Sequence, residues 1–239
     1  LKKILLIDNT FDPPHGSPEI RNNLEGAALA LGLAIEVQMV RAPEMGIPLD
    51  LSGYHAVVLS GSKTRINENA PWITKEMEAI RDLHARKIPT LGICYGEQLI
   101  ARALGGDACI GVAEKSEHGW FELELKSETT LLAGLPQKFF TFEFHSDEVK
   151  KLPPNFRLTA SSPACPVQAY DLTDAPMWGI QFHPERGLAQ GQQGLERRLK
   201  ADPSFPAMNY DKAEELYDPS VAAVIFKNFL RQVMSARHA

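Results

Sequence analysis

Short, wholly apolar runs alternate with amphipathic stretches over the first hundred residues. Ile4-Leu-Leu-Ile7 has the unbroken apolar character of a strand buried on both faces. Ser17 and Pro18 fit an N-cap and a first helical position, and Ile20, Leu24, Ala27, Ala28 and Leu31 then fall at helical spacing until Gly32. Residues 35–40 and 56–59 predict two further strands, the second followed by the polar loop Ser60-Gly-Ser-Lys63. Pro71 opens a second helix with Ile73, Met77, Ile80 and Leu83 on one face. Thr90-Leu-Gly-Ile-Cys94 predicts a fourth strand, and residues 97–104 the helix after it. Alternating strands and helices imply a parallel sheet covered by helices, an α/β fold.

The pattern changes near Gly119. Residues 121–125, 139–144, 156–160, 167–170 and 178–182 are strand-like runs at short intervals, expected to extend the first sheet or to pack beside it. Residues 219–233 predict a closing helix with Val221, Ile225, Phe229 and Val233 on one stripe. Between Arg186 and Ser220 lie Gln190-Gly-Gln-Gln-Gly194, a charged patch at 196–200 and three prolines. No periodicity beyond a turn or two of helix is evident there, and residues 187–219 read as an insertion, either a lid or partner contact or a solvated excursion.

With 239 residues the chain is long for one domain and short for two, and is read as one domain over 1–239 carrying that insertion. Hydrophobic residues at 44% and charged residues at 23% argue against disorder and coiled coil. A net charge of −5 gives no bulk attraction for nucleic acid or anionic lipid. No apolar run approaches the ~18 residues of a membrane span, and Asp8 and Asn9 cut the first run too short for a signal peptide. The first residue is Leu, which suggests that an initiator residue is missing or trimmed. Three cysteines without a CxxC make a disulfide framework or zinc cluster unlikely and fit a reducing, cytoplasmic setting.

Gly92-Ile-Cys94-Tyr-Gly96 has the form G-x-C-x-G between an apolar strand and a helix, the cysteine version of a nucleophile elbow. A sharp strand-to-helix turn strains the nucleophile's backbone, and side chains two positions either side would collide. The turn projects the thiol beside a helix N-terminus, whose partial positive charge favours the thiolate. The next backbone N–H points where an oxyanion would form. The alternative is a small buried Cys in a glycine-rich turn; Cys109 and Cys165 lack such context and read as packing residues.

A nucleophilic thiol needs a base. Among seven histidines, His183 stands out in Gln181-Phe-His-Pro-Glu185, at the close of an apolar run that Pro184 prevents from continuing. A nearby carboxylate can orient the imidazole and stabilise its protonated form. Alone, His-Pro-Glu is an ordinary turn. Two such motifs at predicted strand ends reinforce each other, because open α/β sheets place sites at the carboxyl ends of parallel strands.

These residues resemble the class I (triad) glutamine amidotransferases. Residues 92–98, continuing into Leu104-Gly-Gly106, are similar to that family's nucleophile motif, and residues 181–185 to its His/Glu motif. Residues 4–9 resemble its first strand, Phe144-His-Ser-Asp147 with Val149 its glutamine-pocket segment, and Asn228-Phe-Leu230 its closing helix. The resemblance implies a flavodoxin-like, mostly parallel sheet with added antiparallel strands. It implies Cys94 as nucleophile, His183 as acid/base and Glu185 as orienting carboxylate. It implies oxyanion donors at Tyr95 and in the loop after the third strand. There the family usually carries Gly-Gly-Pro and this chain has Gly61-Ser62-Lys63; a backbone N–H needs no glycine, so Ser62 can supply it. Gln98 and Ser146 match positions that help hold glutamine. His145 is positional, and no metal or other cofactor is expected.

Three functions follow. The first is a glutaminase that hydrolyses the glutamine side-chain amide through a cysteine thioester to release ammonia, acting with a separate synthase subunit or alone, since only about 54 residues follow Glu185. The second is a stand-alone γ-glutamyl hydrolase or peptidase using the same Cys and His. The third is a catalytically silent binding module, against which the intact Cys94, His183 and Glu185 argue. Asp12-Pro-Pro-His15 could suggest a metal corner but reads as a polar turn; His118 reads as a strand cap; Arg81, Arg86 and Lys87 suit a helix C-terminus.

Overall fold

The computed structural model describes residues 1–11, 16–48 and 50–236, without the side chains of residues 16 and 17. The polar turn expected at residues 12–15 and the N-cap expected of the Ser17 side chain lie outside the described residues. The expected alternation is observed: β1 (Lys2–Asp8), α1 (Gly16–Leu31), β2 (Ile35–Arg41), α2 (Ala42–Met45), β3 (Ala56–Leu59), α3 (Pro71–Ala85), β4 (Thr90–Ile93) and α4 (Tyr95–Gly105). Then come β5 (Ile110–Leu125), β6 (Lys138–Val149), β7 (Phe156–Ser161), β8 (Ala169–Leu172) and β9 (Met177–Ile180). Helices α5 (Leu188–Ala201), α6 (Ala213–Leu216) and α7 (Pro219–Ser235) close the chain.

The strands form one sheet in the order β2-β1-β3-β4-β9-β8-β7-β5-β6. Every pair from β2 to β9 is parallel, and every pair from β9 to β6 is antiparallel. The second half therefore extends the first sheet. In the parallel half, successive strand residues serve opposite cores. Ile4, Leu6, Val58, Leu91 and Ile93 pack with α1 and α7 through Ile20, Leu24, Ile225 and Phe229. Leu5, Ile7, Val57 and Leu59 pack with α3 and α4 through Ile73, Ile80, Leu99 and Ile100. Burial on both faces is why these strands read as unbroken apolar runs.

Three expectations need correction. The strand expected at 121–125 begins at Ile110, because residues 110–112 and, past an irregularity between Val112 and Glu117, the polar Glu117 and His118 also pair with β6. His118 consequently lies inside a strand and does not cap one. The segment 187–219 is more ordered than its sequence suggests: α5 runs for 14 residues. Leu188, Gly191 and Leu195 share one helix face, and a Cβ on Gly191 would sit 2.8 Å from the Trp120 ring. Glycine here permits close packing on β5 and β6, a role that hides it from a hydrophobic-periodicity reading. Trp120, Phe142, Leu195 and Ala213 make a third, separate core.

Candidate active site

β4 and β9 lie side by side in the middle of the sheet, with Gly92 opposite Gly179 and Ile93 opposite Ile180. Their carboxyl ends deliver Cys94 and, three residues past Ile180, His183. The Cys94 backbone has φ +53° and ψ −107°, a strained conformation for a residue with a side chain. Two glycines make it possible. A Cβ on Gly92 would fall 2.5 Å from the Gly96 carbonyl oxygen, and one on Gly96 would fall 2.5 Å from that of Leu59. The Cys94 N–H donates to the Ile180 carbonyl at 2.8 Å, and the Gln98 N–H returns to the Cys94 carbonyl at 3.1 Å.

The loop after β3 packs against the same point. A Cβ placed on Gly61 would lie 3.0 Å from His183 Cε1 and 3.5 Å from Cys94 Cβ, so both side chains flank this glycine. The hydroxyl of Ser62, next to it, donates to the Asn9 carbonyl at 2.6 Å while accepting from the Thr64 N–H at 3.0 Å. Those bonds pin the loop and leave the Ser62 backbone N–H without a partner among the described residues. The Tyr95 N–H approaches the Cys94 sulfur. The Tyr95 N–H is thus a backbone donor beside the thiol, and Gly61 of the loop after β3 packs against the Cys94 side chain.

His183 is held at both ends. Its N–H donates to the Phe142 carbonyl at 2.8 Å, and its ring Nδ1 faces Glu185 Oε1 at 2.8 Å. All three of Cys94, His183 and Glu185 are buried. With Nδ1 engaged by the carboxylate, Nε2 is the nitrogen left for proton transfer.

The thiol's electrostatics differ from the expectation of a helix-stabilised thiolate. Burial pushes the Cys94 thiol well above its ordinary range; the charges of Glu143, Glu185 and Glu97 push it further, and only the Tyr95 N–H opposes them. The His183 imidazole flanks the same glycine, Gly61, as the Cys94 side chain.

Other expected residues take more indirect places. Gln98 is buried, and its side-chain amide donates to the Asp147 carbonyl and to Gln181 Oε1, each at 2.8 Å. It braces α4 against β6 and the residue that follows β9, with both amide hydrogens engaged inside the protein. Ser146 lies half-buried on β6, and its hydroxyl makes no hydrogen bond among the described residues. Cys109 and Cys165 are buried, their thiols donating to the Gly105 and Val167 carbonyls.

Sequence reading missed a buried polar layer behind the thiol. Glu97, Glu117, Glu143, His145, Asp147 and Glu148 are all buried. Burial raises the Glu143 carboxyl well above the usual carboxylate range, with Glu117 and Glu97 adding; burial does the same to Glu97, with Glu148 adding. The signal was legible: Glu143, His145 and Asp147 alternate with Phe142 and Phe144, a period of two with charges on one strand face. Arg102 was also missed. Its guanidinium donates to the Ile66 and Glu68 carbonyls at 2.8 and 2.7 Å, clamping the chain beyond the Gly61 loop to α4.

The glutamine amidotransferase class-I family model matches residues 18–200. A glutamine-hydrolysing GMP synthase subunit of Pyrococcus furiosus is 49% identical over 109 residues, 46% of this chain and 56% of that protein. The corresponding protein from Methanocaldococcus jannaschii is 38% identical over 140 residues, 59% of this chain and 68% of that protein. The chain thus spans about half the length of the first curated relatives it matches. Among solved structures, a glutamine amidotransferase of Thermotoga maritima superposes with a TM-score of 0.78 at 21% identity, covering 98% of this chain and 99% of that one. A putative GMP synthase subunit from Thermoplasma acidophilum gives 0.66 at 24% identity, covering 98% and 94%. At these identities the structures speak to fold alone. No helix among the described residues is long and apolar enough to cross a membrane.

Proposed function

Because the chain belongs to the class I glutamine amidotransferase family, we propose that it is a glutaminase. It hydrolyses the side-chain amide of L-glutamine through a thioester on Cys94. The observation that carries this reading is the convergence of Cys94 and His183 on Gly61, with Glu185 on the far side of the imidazole.

In the proposed reaction, substrate binding displaces the thiol proton to His183 Nε2, and Glu185 stabilises the resulting imidazolium. The thiolate attacks the carboxamide carbon. The N–H groups of Tyr95 and of the Gly61-Ser62 loop receive the developing oxyanion, a term typically worth roughly 3–4 kcal/mol per donor. His183 returns its proton to the departing nitrogen, the C–N bond breaks, and ammonia leaves. Water then attacks the γ-glutamyl thioester with His183 as base; the C–S bond breaks, glutamate leaves and the thiol is restored. Gln98 and Ser146 belong to the wall that holds glutamine.

A separate synthase subunit would receive the ammonia. The similarity to glutamine-hydrolysing GMP synthase subunits supports such a two-component enzyme and favours it over a stand-alone hydrolase. We read residues 1–239 as one domain with residues 187–219 folded onto β5 and β6. Three unpaired cysteines support a reducing, cytoplasmic setting. The test is amine release from L-glutamine and from a panel of γ-glutamyl amides and peptides. Turnover confined to glutamine supports the reading. Preference for bulkier γ-glutamyl amides would transfer the chain to the hydrolase class.

A further inference from the structure

The candidate glutamine wall is not held by its own strand alone. The Asp147 backbone carbonyl accepts from two buried side chains, Gln98 Nε2 of α4 at 2.8 Å and His145 Nδ1 at 3.1 Å. The Asp147 carboxylate reaches the other way, taking the Ile66 N–H at 3.1 Å and the Arg65 guanidinium at 2.5 Å. One residue therefore ties β6 to the nucleophile helix and to the segment that continues from the Gly61 loop. Ser146 sits between the two anchored residues.

His145 is itself fixed at both nitrogens. Nε2 faces Glu117 Oε2 of β5 at 3.0 Å, with Glu143 Oε2 at 3.6 Å behind it. Glu117, His145 and Cys165 bring ligand-type atoms within 4.8 Å of one another, a spacing a metal could use. The hydrogen bonds point elsewhere. Glu117 also takes the Ser162 hydroxyl on Oε1 and the Gln168 amide on Oε2, both at 2.7 Å, and the Cys165 thiol donates to the Val167 carbonyl at 3.2 Å. The cluster closes on protein donors, which suits a structural strut. The charged or titratable groups around the ring are Glu117 and His118 from β5, Glu143 from β6 and Cys165 from the chain between β7 and β8.

We propose that His145 and Asp147 are positioning residues of the glutamine site: the Glu117–His145–Asp147 chain fixes residues 145–147 against α4 and the loop after β3, and so sets substrate binding without touching the thiol. This deepens the glutaminase reading and rests on it. The chain runs from β5 through two side chains to a backbone carbonyl, so cutting it frees the wall while the Cys94 elbow keeps its own bonds to Ile180 and Gln98.

Two alkylating agents separate wall from nucleophile. 6-Diazo-5-oxo-L-norleucine has the shape of glutamine and needs the wall; iodoacetamide needs only a reachable Cys94. His145→Asn should slow labelling of Cys94 by the glutamine analogue about tenfold, the scale of a lost charge-assisted hydrogen bond, and leave iodoacetamide labelling within about twofold. Arg65→Gln, at a half-exposed position, should lower analogue labelling in the same direction and by less, and it serves if the buried variant does not fold. Equal rates with both agents in the variants, or a parallel fall with both, overturns the inference. If the wild type itself is not labelled at Cys94 by the glutamine analogue, the glutaminase reading falls and takes this inference with it.

Discussion

The Cys94 N–H donates to the Ile180 carbonyl at 2.8 Å. This single bond joins the strained turn that presents the thiol to the strand that delivers the imidazole three residues later. Thiol and imidazole, the proposed nucleophile and base, are therefore positioned by the parallel pairing of β4 with β9. Sites built on strand ends in this way hold their geometry because the sheet does.

Glu185 should matter through His183. Glu185→Gln keeps an acceptor near Nδ1 and removes the charge that stabilises the imidazolium. The expected result is a fall in kcat of at least about a hundredfold for glutamine hydrolysis, with KM changed far less. Steady-state kinetics check it; a change in KM alone would place Glu185 in substrate binding.

Gly96 should be intolerant of a methyl group. The added Cβ would meet the Leu59 carbonyl oxygen at 2.5 Å, a backbone atom that cannot swing aside. Gly96→Ala should cost about 1–3 kcal/mol of stability, the range of core overpacking, and displace Cys94. Urea unfolding measures the first and the rate of thiol alkylation the second.

Glu76 gives the protein a pH-dependent weakness. It is fully buried on α3, accepts from Asn9 Nδ2 at 3.1 Å and leaves Oε2 without a partner among the described residues; burial raises its carboxyl from 4.5 to about 8. The folded state thus holds a proton that the unfolded chain has released. Its contribution is fully present below the unfolded value of 4.5 and is lost as pH rises toward 8, with a slope of up to about 1.4 kcal/mol per pH unit. Glu76→Gln, which keeps the acceptor without the charge, should match the wild type near pH 4.5 and exceed it near pH 8. Urea midpoints across that window decide; identical profiles would show that Glu76 does not carry the effect.

The elements that fold by burying both faces were legible from sequence, because Ile4-Leu-Leu-Ile7 and residues 56–59 are apolar throughout. The strand-end placement of Cys94 and the neighbourhood of His183 followed from Gly92, Gly96 and Pro184, residues whose backbone demands are strong. Helix α5 was not legible, since Gly191 contributes to a buried face by having no side chain at all. The charges around the thiol were not legible for a different reason. The helix N-terminus adjoins Cys94 in the chain, whereas the Glu143 that opposes ionisation comes from β6 and is brought near only by the fold.

The role of the Cys94 sulfur as the nucleophile that opens glutamine is tested most directly by mass. Intact-mass and peptide-level analysis would follow exposure to 6-diazo-5-oxo-L-norleucine, for the wild type and for Cys94→Ala. One adduct per chain is expected, mapped to Cys94, slowed by competing L-glutamine and lost in the variant. An adduct that persists in Cys94→Ala, or that maps to Cys109 or Cys165, would contradict that role.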